Sequence, residues 1–499
     1  MFPTPRSDLV SNTAAYETTP LVKATGFREY DARWLLGPDI NLMGVEALGL
    51  GLGTYLHEQG ERRIVVGHDF RSYSLSVKQA LSLGLVAAGC EVLDIGLALS
   101  PTAYFAQFDL LAPCVAMVTA SHNENGWTGV KMGANPPTTF GPEEIGRLKE
   151  IVLGGEFRER QGGCLTHVAG VAERYVADAV SRCALTRQLK VVCACGNGTA
   201  GAFAPAALRA MGAEVIEMDC DLDWTFPRYN PNPEDLEMLH AMAAEVRAHG
   251  ADLALGFDGD GDRCGVVDDE GEEIFADKIG LMLARDLAPL HPGAKFVVDV
   301  KSTGLYATDP ILAANGATTI YWKTGHSYIK RKTAEIGALA GFEKSGHFFF
   351  NAPLGRGYDC GLTAAAAILS MLDRNPGRKL SDLRRALPVA YTSLTMSPHC
   401  ADETKYAVVD EIVGEYQALE AAGERILGRA ITEVITVNGV RVALDDGSWL
   451  LVRASSNKPE IVVVVESTRS ADDMRALFRD EVKPRLAAHR EVGAYNQEI

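Results

Sequence analysis

The chain has 499 residues, 47% hydrophobic and 23% charged, a balance that suits packed domains and excludes a largely disordered chain. At roughly 150 residues per domain it should hold about three or four of them. A formal net charge of −17 argues against nucleic acid or an anionic membrane as the main partner, although cations that converge locally can still hold an anionic metabolite.

One pattern recurs three times. A short β-branched strand leads into a Gly/Ser/Asp-containing loop and an Ala/Leu-rich helix, then a glycine and a second strand. The first copy is Arg63–Gly67, Leu75–Ala88, Gly89 and Glu91–Leu93. The second is Leu189–Cys195, Ala200–Met211, Gly212 and Glu214–Ile216. The third is Lys295–Val298, Leu305–Asn315, Gly316 and Thr318–Tyr321. Each glycine suits a left-handed position just past a helix. Strand, helix and strand within about 35 residues is the βαβ signature of a mainly parallel sheet. After about residue 390 the texture changes. Thr432–Val437, Val440–Leu444, Trp449–Arg453 and Ile461–Glu466 read as strands, and Ala471–Leu486 reads as a closing amphipathic helix. The expected fold is therefore α/β: three related βαβ-type domains plus a smaller C-terminal α+β domain. The expected divisions are 1–175, 176–275, 276–390 and 391–499.

The longest apolar runs, such as Ile461–Val465, are far shorter than the about 18 residues of a membrane span. The N-terminus, Met1–Ser11, lacks a basic patch followed by an apolar core, so cytoplasm is the default expectation. The ten cysteines are scattered, with no C-x-x-C and one C-x-C at Cys193 and Cys195. They read as buried free thiols of a reducing compartment.

The strongest local motif is Asp258-Gly259-Asp260-Gly261-Asp262-Arg263, which follows the apolar run Leu253–Phe257. Three carboxylates at alternate positions, spaced by glycine, can turn onto one hard cation, and oxygen ligands favour Mg²⁺ or Ca²⁺ over zinc. An EF-hand is excluded, because that loop needs glycine where Arg263 stands and a helix where a strand precedes. Arg263 suits a phosphate. Thr119-Ala120-Ser121-His122-Asn123 follows the strand Val115–Val118, which puts Ser121 at a strand's carboxyl end, where open α/β sheets place ligands. Beside His122 it is a candidate nucleophile or phosphoryl carrier. Glu343-Lys344-Ser345-Gly346-His347 offers carboxylate, hydroxyl and imidazole for sugar hydroxyls and proton transfer. Lys323-Thr324-Gly325-His326-Ser327 offers a cation and donors to a phosphate. Arg453-Ala454-Ser455-Ser456-Asn457-Lys458-Pro459, between two strands, is a plausible anion cradle. A competing motif, Gly196-Asn197-Gly198-Thr199-Ala200-Gly201, matches the dinucleotide fingerprint G-x-G-x-x-G, with Glu217 and Asp219 about twenty residues on.

Taken together, F-R-x-Y-D at Phe27–Asp31, T-A-S-H-N, D-G-D-G-D-R, K-T-G-H-S, E-x-S-G-H and R-x-S…P resemble the α-D-phosphohexomutases, in particular their bacterial phosphomannomutase/phosphoglucomutase branch. The motifs stand in family order over nearly the whole chain. The resemblance implies four domains around a central cleft and a hexose-phosphate mutase. Its phosphoserine would be Ser121, which with Asp258, Asp260 and Asp262 would hold one Mg²⁺. Arg28, Lys131 and Arg263 would surround the transferred phosphate, with Lys131 and His347 as proton-transfer groups and His122 beside the nucleophile. Arginine neighbours should lower the pKa of Lys131 if it acts as a base. Lys323, Gly325, His326, Glu343 and Ser345 would contact the substrate, and Arg453, Ser455 and Asn457 the phosphate that is not reacting. Contacts from Glu343 and Ser345 to O3 and O4 would be blind to carbon 2, where glucose and mannose differ. A hexose 1,6-bisphosphate would be intermediate and activator. A phosphoglucosamine-type mutase is the alternative within the family. A nicotinamide oxidoreductase using Gly196–Gly201 is the alternative outside it, weakened because that loop falls apart from the other motifs. Phe342 and Lys344 stand where the branch has Gly and Met, and Ser456 and Asn457 where it has Asn and Thr. Monomer or dimer is left open by the sequence.

Overall fold

The computed structural model describes residues 2–456 and 458–499. It divides into two compact units, Met1–Ala276 with Ser345–Ser381, and Asp277–Lys344 with Asp382–Ile499.

The first unit holds two sheets. In the first, β1 (Ala32–Leu35), β2 (Arg63–His68), β3 (Glu91–Leu97), β4 (Cys114–Val118), β5 (Trp127–Ala134) and β6 (Cys164–His167) lie in the order β1-β5-β4-β2-β3-β6. Strands β4, β2, β3 and β6 are mutually parallel, and β5 runs antiparallel between β4 and β1. In the second sheet β7 (Lys190–Ala194) lies parallel to β8 (Glu214–Met218) and β9 (Leu253–Phe257). Two antiparallel strands, β10 (Cys264–Asp268) and β11 (Glu273–Ile274), continue it past β9. Strands buried on both faces explain the unbroken apolar runs: every residue of β4, β9 and β10 is buried.

In the second unit β12 (Lys295–Asp299) is parallel to both β13 (Thr318–Trp322) and β14 (Ala340–Phe342). The segment β15 (Phe348–Phe350) belongs to the first unit. The C-terminal part of the second unit is an antiparallel sheet. It is built from β16 (Tyr391–Thr392), β17 (Arg425–Ile426), β18 (Arg429–Ile435), β19 (Val440–Leu444), β20 (Trp449–Ala454) and β21 (Ile461–Ser467). The helix Lys405–Ala422 and the closing helical run pack their apolar side on it, through Val408, Ile412, Leu477 and Phe478.

All three predicted βαβ copies form, with parallel strand pairs. Gly89, Gly212 and Gly316 have φ of 88°, 104° and 65°, the left-handed conformation expected after each helix. Three helices differ from expectation. The run Ala200–Met211 breaks into a 3₁₀ turn, Thr199–Ala202, and a helix, Ala204–Ala210, with Pro205 in its first turn. The run Leu305–Asn315 divides at Asp309, whose carboxylate accepts from the N–H groups of Ile311 and Leu312 at 2.9 and 3.1 Å while Pro310 opens the second piece. Proline has no N–H to give the preceding turn, so it starts helices better than it continues them. The closing helix carries a π turn at Leu477–Val482. The strand expected at Thr432–Val437 lies at Arg429–Ile435. One cysteine, Cys164, is exposed on β6 rather than buried.

The glycine motif at Gly196–Gly201 is filled by its own chain. A Cβ at Gly196 would lie 2.9 Å from Pro231, one at Gly198 3.1 Å from the Cα of Gly259, and one at Gly201 2.0 Å from the Cys220 carbonyl oxygen. These glycines serve backbone-to-backbone packing.

Phe342 is fully buried and stacks with Phe296 and Tyr306, at centroid distances of 6.0 and 6.4 Å. A Cβ at Gly280 would fall 2.8 Å from its Cβ. This departure from the family pattern is therefore a matter of core packing.

Candidate active site and its family

Ser121 follows β4, two residues after Val118-Thr119, in a left-handed backbone conformation with φ of 52°. Serine rarely holds that conformation without support. The support is Asp69, just past β2. Its carboxylate accepts from Thr119 Oγ1 at 2.8 Å and from Ser74 Oγ, and it pairs with Arg71. Thr119 Oγ1 in turn accepts the Ser121 N–H at 2.9 Å. Arg71 donates to the carbonyls of Ser121 and Asn123 at 2.9 and 2.7 Å. Arg33, paired with Asp31 at 2.7 Å, donates to Asn123 Oδ1 at 2.6 Å. Four charged groups thus clamp one five-residue loop, and all but Arg33 are deeply buried.

The acid loop leaves β9 and returns as β10. Asp258, Asp260 and Asp262 are each 0% exposed, and one oxygen of each lies within 4.8 Å of the others. Ser121 Oγ donates to Asp258 Oδ2 at 3.2 Å. The Gly259 position lets the loop pass close to the serine, since a Cβ there would be 2.5 Å from the Ser121 carbonyl oxygen. Ser100, the first residue of the helix Ser100–Asp109, donates to Asp260 Oδ2. Lys131, on β5 opposite Met117, donates to Asp260 Oδ2 at 2.6 Å and to Asp262. Arg263 pairs with Asp258 at 3.3 Å and Glu234 at 3.2 Å, and contacts His122 Nδ1. His347 lies beside the loop, with Nε2 3.5 Å from Asp262 Oδ1 and Nδ1 2.9 Å from Ser345 Oγ.

The electrostatics follow from burial and charge. Burial, reinforced by Asp262 and Asp260, pushes the Asp258 carboxyl well up. Burial also disfavours charge on Asp260 and Asp262, but Lys131 outweighs it and holds both carboxyls down. The Arg263 guanidinium, helped by burial, holds His122 well below the usual imidazole range, so it is neutral. Lys131 departs from expectation. Burial favours its neutral form, but the carboxylates of Asp260, Asp262 and Asp258 override this and raise its pKa. Arginine neighbours do not set its charge; the acid loop does.

Three buried carboxylates fit a hard cation, and a buried oxygen left over makes the same point: Asp260 Oδ1 has no hydrogen-bond donor. A cation entering must displace the proton that the raised Asp258 carboxyl keeps. Metal affinity should therefore rise with pH until Asp258 ionises by itself, then level off. Calorimetry with Mg²⁺ in two buffers of different ionisation enthalpy measures this, and proton release that does not shrink at higher pH would contradict it.

Of the residues expected at the site, the first unit brings together Ser121, His122, Lys131, Asp258, Asp260, Asp262, Arg263, Ser345 and His347. Arg28 is half-buried and bonds through its N–H to the Asp31 carbonyl at 2.9 Å, while the guanidinium groups that reach the serine loop are those of Arg33, Arg71 and Arg263. Asp69, Arg71, Arg33 and Ser100 were missed; the one signal for Asp69 is a carboxylate at the carboxyl end of a predicted strand.

Of the others, Lys323, Gly325, His326, Glu343, Arg453 and Ser455 lie in the second unit, where Asp299 stands at the end of β12. Asp299 accepts from Ser302 Oγ at 2.6 Å, Thr324 Oγ1 at 3.2 Å and the Lys344 N–H at 3.3 Å, so it ties the loops after β12, β13 and β14. Lys323 lies over the Tyr328 ring at 5.4 Å, and Gly325, with φ of 127°, opens the helix His326–Glu335. His326 and Glu343 are buried. Thr324 also donates through its N–H to Asn438 Oδ1 at 3.4 Å. The next residue, Gly439, lies so near Arg453 that a Cβ would be 2.6 Å from it. The K-T-G-H loop and the Arg453 loop are thus neighbours. Arg453 donates to the Ala454 carbonyl at 2.9 Å, and Ser455 Oγ accepts the Lys458 N–H at 3.3 Å. Asn457 lies outside the described residues.

Comparison with known proteins agrees along the chain. Four descriptions of one family match in order: phosphoglucomutase/phosphomannomutase alpha/beta/alpha domain I over residues 24–159, domain II over 173–271, domain III over 275–391 and the C-terminal domain over 400–483. A phosphomannomutase/phosphoglucomutase of Pseudomonas syringae is 33% identical over 93% of this chain and 96% of its own. A phosphoglucomutase of Neisseria meningitidis serogroup A is 32% identical over 89% and 93%. The crystal structure of a phosphoglucomutase/phosphomannomutase family protein from Burkholderia thailandensis superposes with a TM-score of 0.84 at 29% identity, covering 96% of this chain and all of that one. Motif order, fold and overall similarity agree, and the chain belongs to the phosphoglucomutase/phosphomannomutase family.

Proposed function

We propose that the chain interconverts hexose 1-phosphates and hexose 6-phosphates, of glucose, mannose or both, with Ser121 as the phosphoryl carrier. It is an intramolecular phosphotransferase in this reading. The observation that carries it is the Ser121 hydroxyl held beside Asp258 by a buried clamp, at the end of a parallel strand.

The chemistry follows from the groups present. Phosphoryl transfer needs in-line placement and charge neutralisation more than covalent help. The phosphorylated Ser121 gives its phosphoryl group to the free hydroxyl of a sugar monophosphate. The bond from phosphorus to Oγ breaks, the bond to the sugar oxygen forms, and the hydroxyl proton passes to a base. Return of the other phosphoryl group from the bisphosphate to Ser121 closes the cycle, and a trace of hexose 1,6-bisphosphate serves as activator. Asp258, Asp260 and Asp262 would hold one Mg²⁺ together with the serine oxygen, and when bound it supplies Lewis acidity to the phosphoryl oxygens. Arg263 lies 3.5 Å from Ser121 Oγ, placed to take phosphoryl charge. Lys131 begins as an ammonium and so serves first as cation or proton donor. His347, with Nδ1 on Ser345 and Nε2 beside Asp262, is assigned as the base. Arg28 is assigned to the transferred phosphate. Lys323, Gly325, His326, Glu343 and Ser345 are assigned to the sugar phosphate, and Arg453 with Ser455 and Asn457 to the phosphate at rest.

No helix among the described residues is long and apolar enough to cross a membrane. We place the enzyme in the cytoplasm, where hexose phosphates and reduced thiols coexist. Purified protein with glucose 1-phosphate, Mg²⁺ and a trace of bisphosphate tests the reading, with mannose and glucosamine phosphates as parallel substrates. Isomerisation supports it; release of free phosphate makes the protein a phosphatase, and no reaction on any sugar contradicts it.

The Arg453 assignment has its own consequence. A charge-assisted hydrogen bond contributes about 1.5–3 kcal/mol net, so Arg453→Ala should lower kcat/KM by roughly ten- to two-hundredfold. Arg453→Lys keeps the charge but loses the fork, and should recover only part. Both sugar phosphates should suffer alike, because the resting phosphate is gripped in either orientation. A loss confined to one sugar would show that Arg453 reads something else.

A further inference from the structure

The sequence motif left without a role is the C-x-C at the end of β7, and folding adds a third cysteine to it. Cys193 and Cys195 are two apart on an extended run, so their side chains leave the same face. The Cys195 N–H continues the pairing of β7 with β8 by donating to the Met218 carbonyl at 3.2 Å. Asp219 then turns the chain with a φ of 50°, which brings Cys220 onto the pair. Its Sγ lies 3.5 Å from that of Cys195, which is 3.8 Å from that of Cys193, and all three lie within 4.8 Å of one another. Cys193 and Cys195 are fully buried, and Cys220 forms the rim at 9% exposure.

We propose that Cys193, Cys195 and Cys220 form a second metal site, for a thiophilic closed-shell ion such as Zn²⁺, distinct in chemistry from the acid loop. A tetrahedral ion with Zn–S bonds of about 2.3 Å sets its sulfurs about 3.8 Å apart. The Cys193–Cys195 and Cys195–Cys220 spacings, 3.8 and 3.5 Å, lie close to that edge. A Cys193–Cys195 disulfide is disfavoured, because residues two apart on a strand have Cα atoms about 6.6 Å apart, near the upper limit for a bridge. Thiolates select zinc-like ions and carboxylates suit Mg²⁺, so the two clusters differ in the ion they favour.

The site's setting gives it a structural task. The third glycine of the G-x-G-x-x-G run, Gly201, packs against the Cys220 carbonyl, and Thr199 donates through its N–H to the Gly259 carbonyl at 3.2 Å. One short loop therefore runs from the thiols to the acid loop. An ion bound by the thiols, with release of their protons, would brace that loop from behind.

The test is a titration of the reduced, chelator-stripped full chain with Co²⁺ in excess Mg²⁺, which occupies the acid loop. An intense near-ultraviolet thiolate-to-cobalt band should saturate at one ion per chain and be displaced by Zn²⁺. Cys220→Ser, checked for fold by circular dichroism, should bind more weakly by at least the about 10–100-fold that loss of an outer-shell partner costs. Cys193→Ser serves if that variant does not fold. Absence of the band in the wild type, an undiminished band in the folded variant, or a disulfide within the trio in the reduced-buffer preparation would each overturn the proposal.

Discussion

Ser121→Ala should lower mutase turnover by a factor on the order of 10⁴ or more, the scale on which enzymes lose rate when their nucleophile is removed. In the proposed cycle the hydroxyl is the acceptor in one half-reaction and the leaving group in the other, so no neighbouring side chain should substitute for it. His122 Nδ1 lies 3.4 Å from Ser121 Oγ but is engaged by Arg263, so it does not replace the hydroxyl. The fold should survive. The clamp from Asp69 and Arg71 acts on the backbone and on Thr119, not on the serine hydroxyl. Intact mass should show a phosphorylated fraction in the wild type and none in the variant. A variant that keeps its turnover would remove Ser121 from the mechanism.

The second large effect is expected at the acid loop. Asp260 carries a buried oxygen without a hydrogen-bond donor, as does Asp262, and accepts through its other oxygen from Lys131 and Ser100. Asp260→Asn removes one negative charge while keeping shape. Affinity for a hard divalent cation follows the charge count of its oxygen ligands, so Mg²⁺ affinity should fall by a factor on the order of ten or more. Turnover at subsaturating metal should fall with it. Chelation should abolish wild-type activity, and added Mg²⁺ should restore it. Activity indifferent to chelation would make the loop purely structural, held by Lys131, Arg263 and Ser100.

The parts of this site that could be read in the sequence are those encoded within a few residues. Three carboxylates between glycines, or a serine just past an apolar strand, declare their chemistry locally. Asp69, Arg71 and Ser100 do not. Asp69 meets Thr119 across 50 positions and Ser100 meets Asp260 across 160. Only the sheet order places them together, and each is one polar residue in an ordinary strand-to-helix connection. Asp299 is hidden for the same reason, since its three partners sit on three loops. The charge of Lys131 is not legible in the sequence, because motif order suggests arginine neighbours, whereas the antiparallel placement of β5 sets it on the carboxylates. The broken helices at Pro205 and Pro310 did carry a local signal, which the apolar periodicity on either side masked. The C-x-C run looked like strand core until Cys220 arrived from the next strand.

Mass spectrometry of a single turnover tests the central claim most directly. Phosphorylated enzyme is mixed with a stoichiometric amount of glucose 6-phosphate, and protein and sugar are followed together. The account predicts that the protein loses one phosphoryl group as glucose bisphosphate appears in equal amount, and regains it as glucose 1-phosphate forms. Release of inorganic phosphate in place of bisphosphate, or isomerisation while the Ser121 peptide stays unchanged in mass, would contradict it.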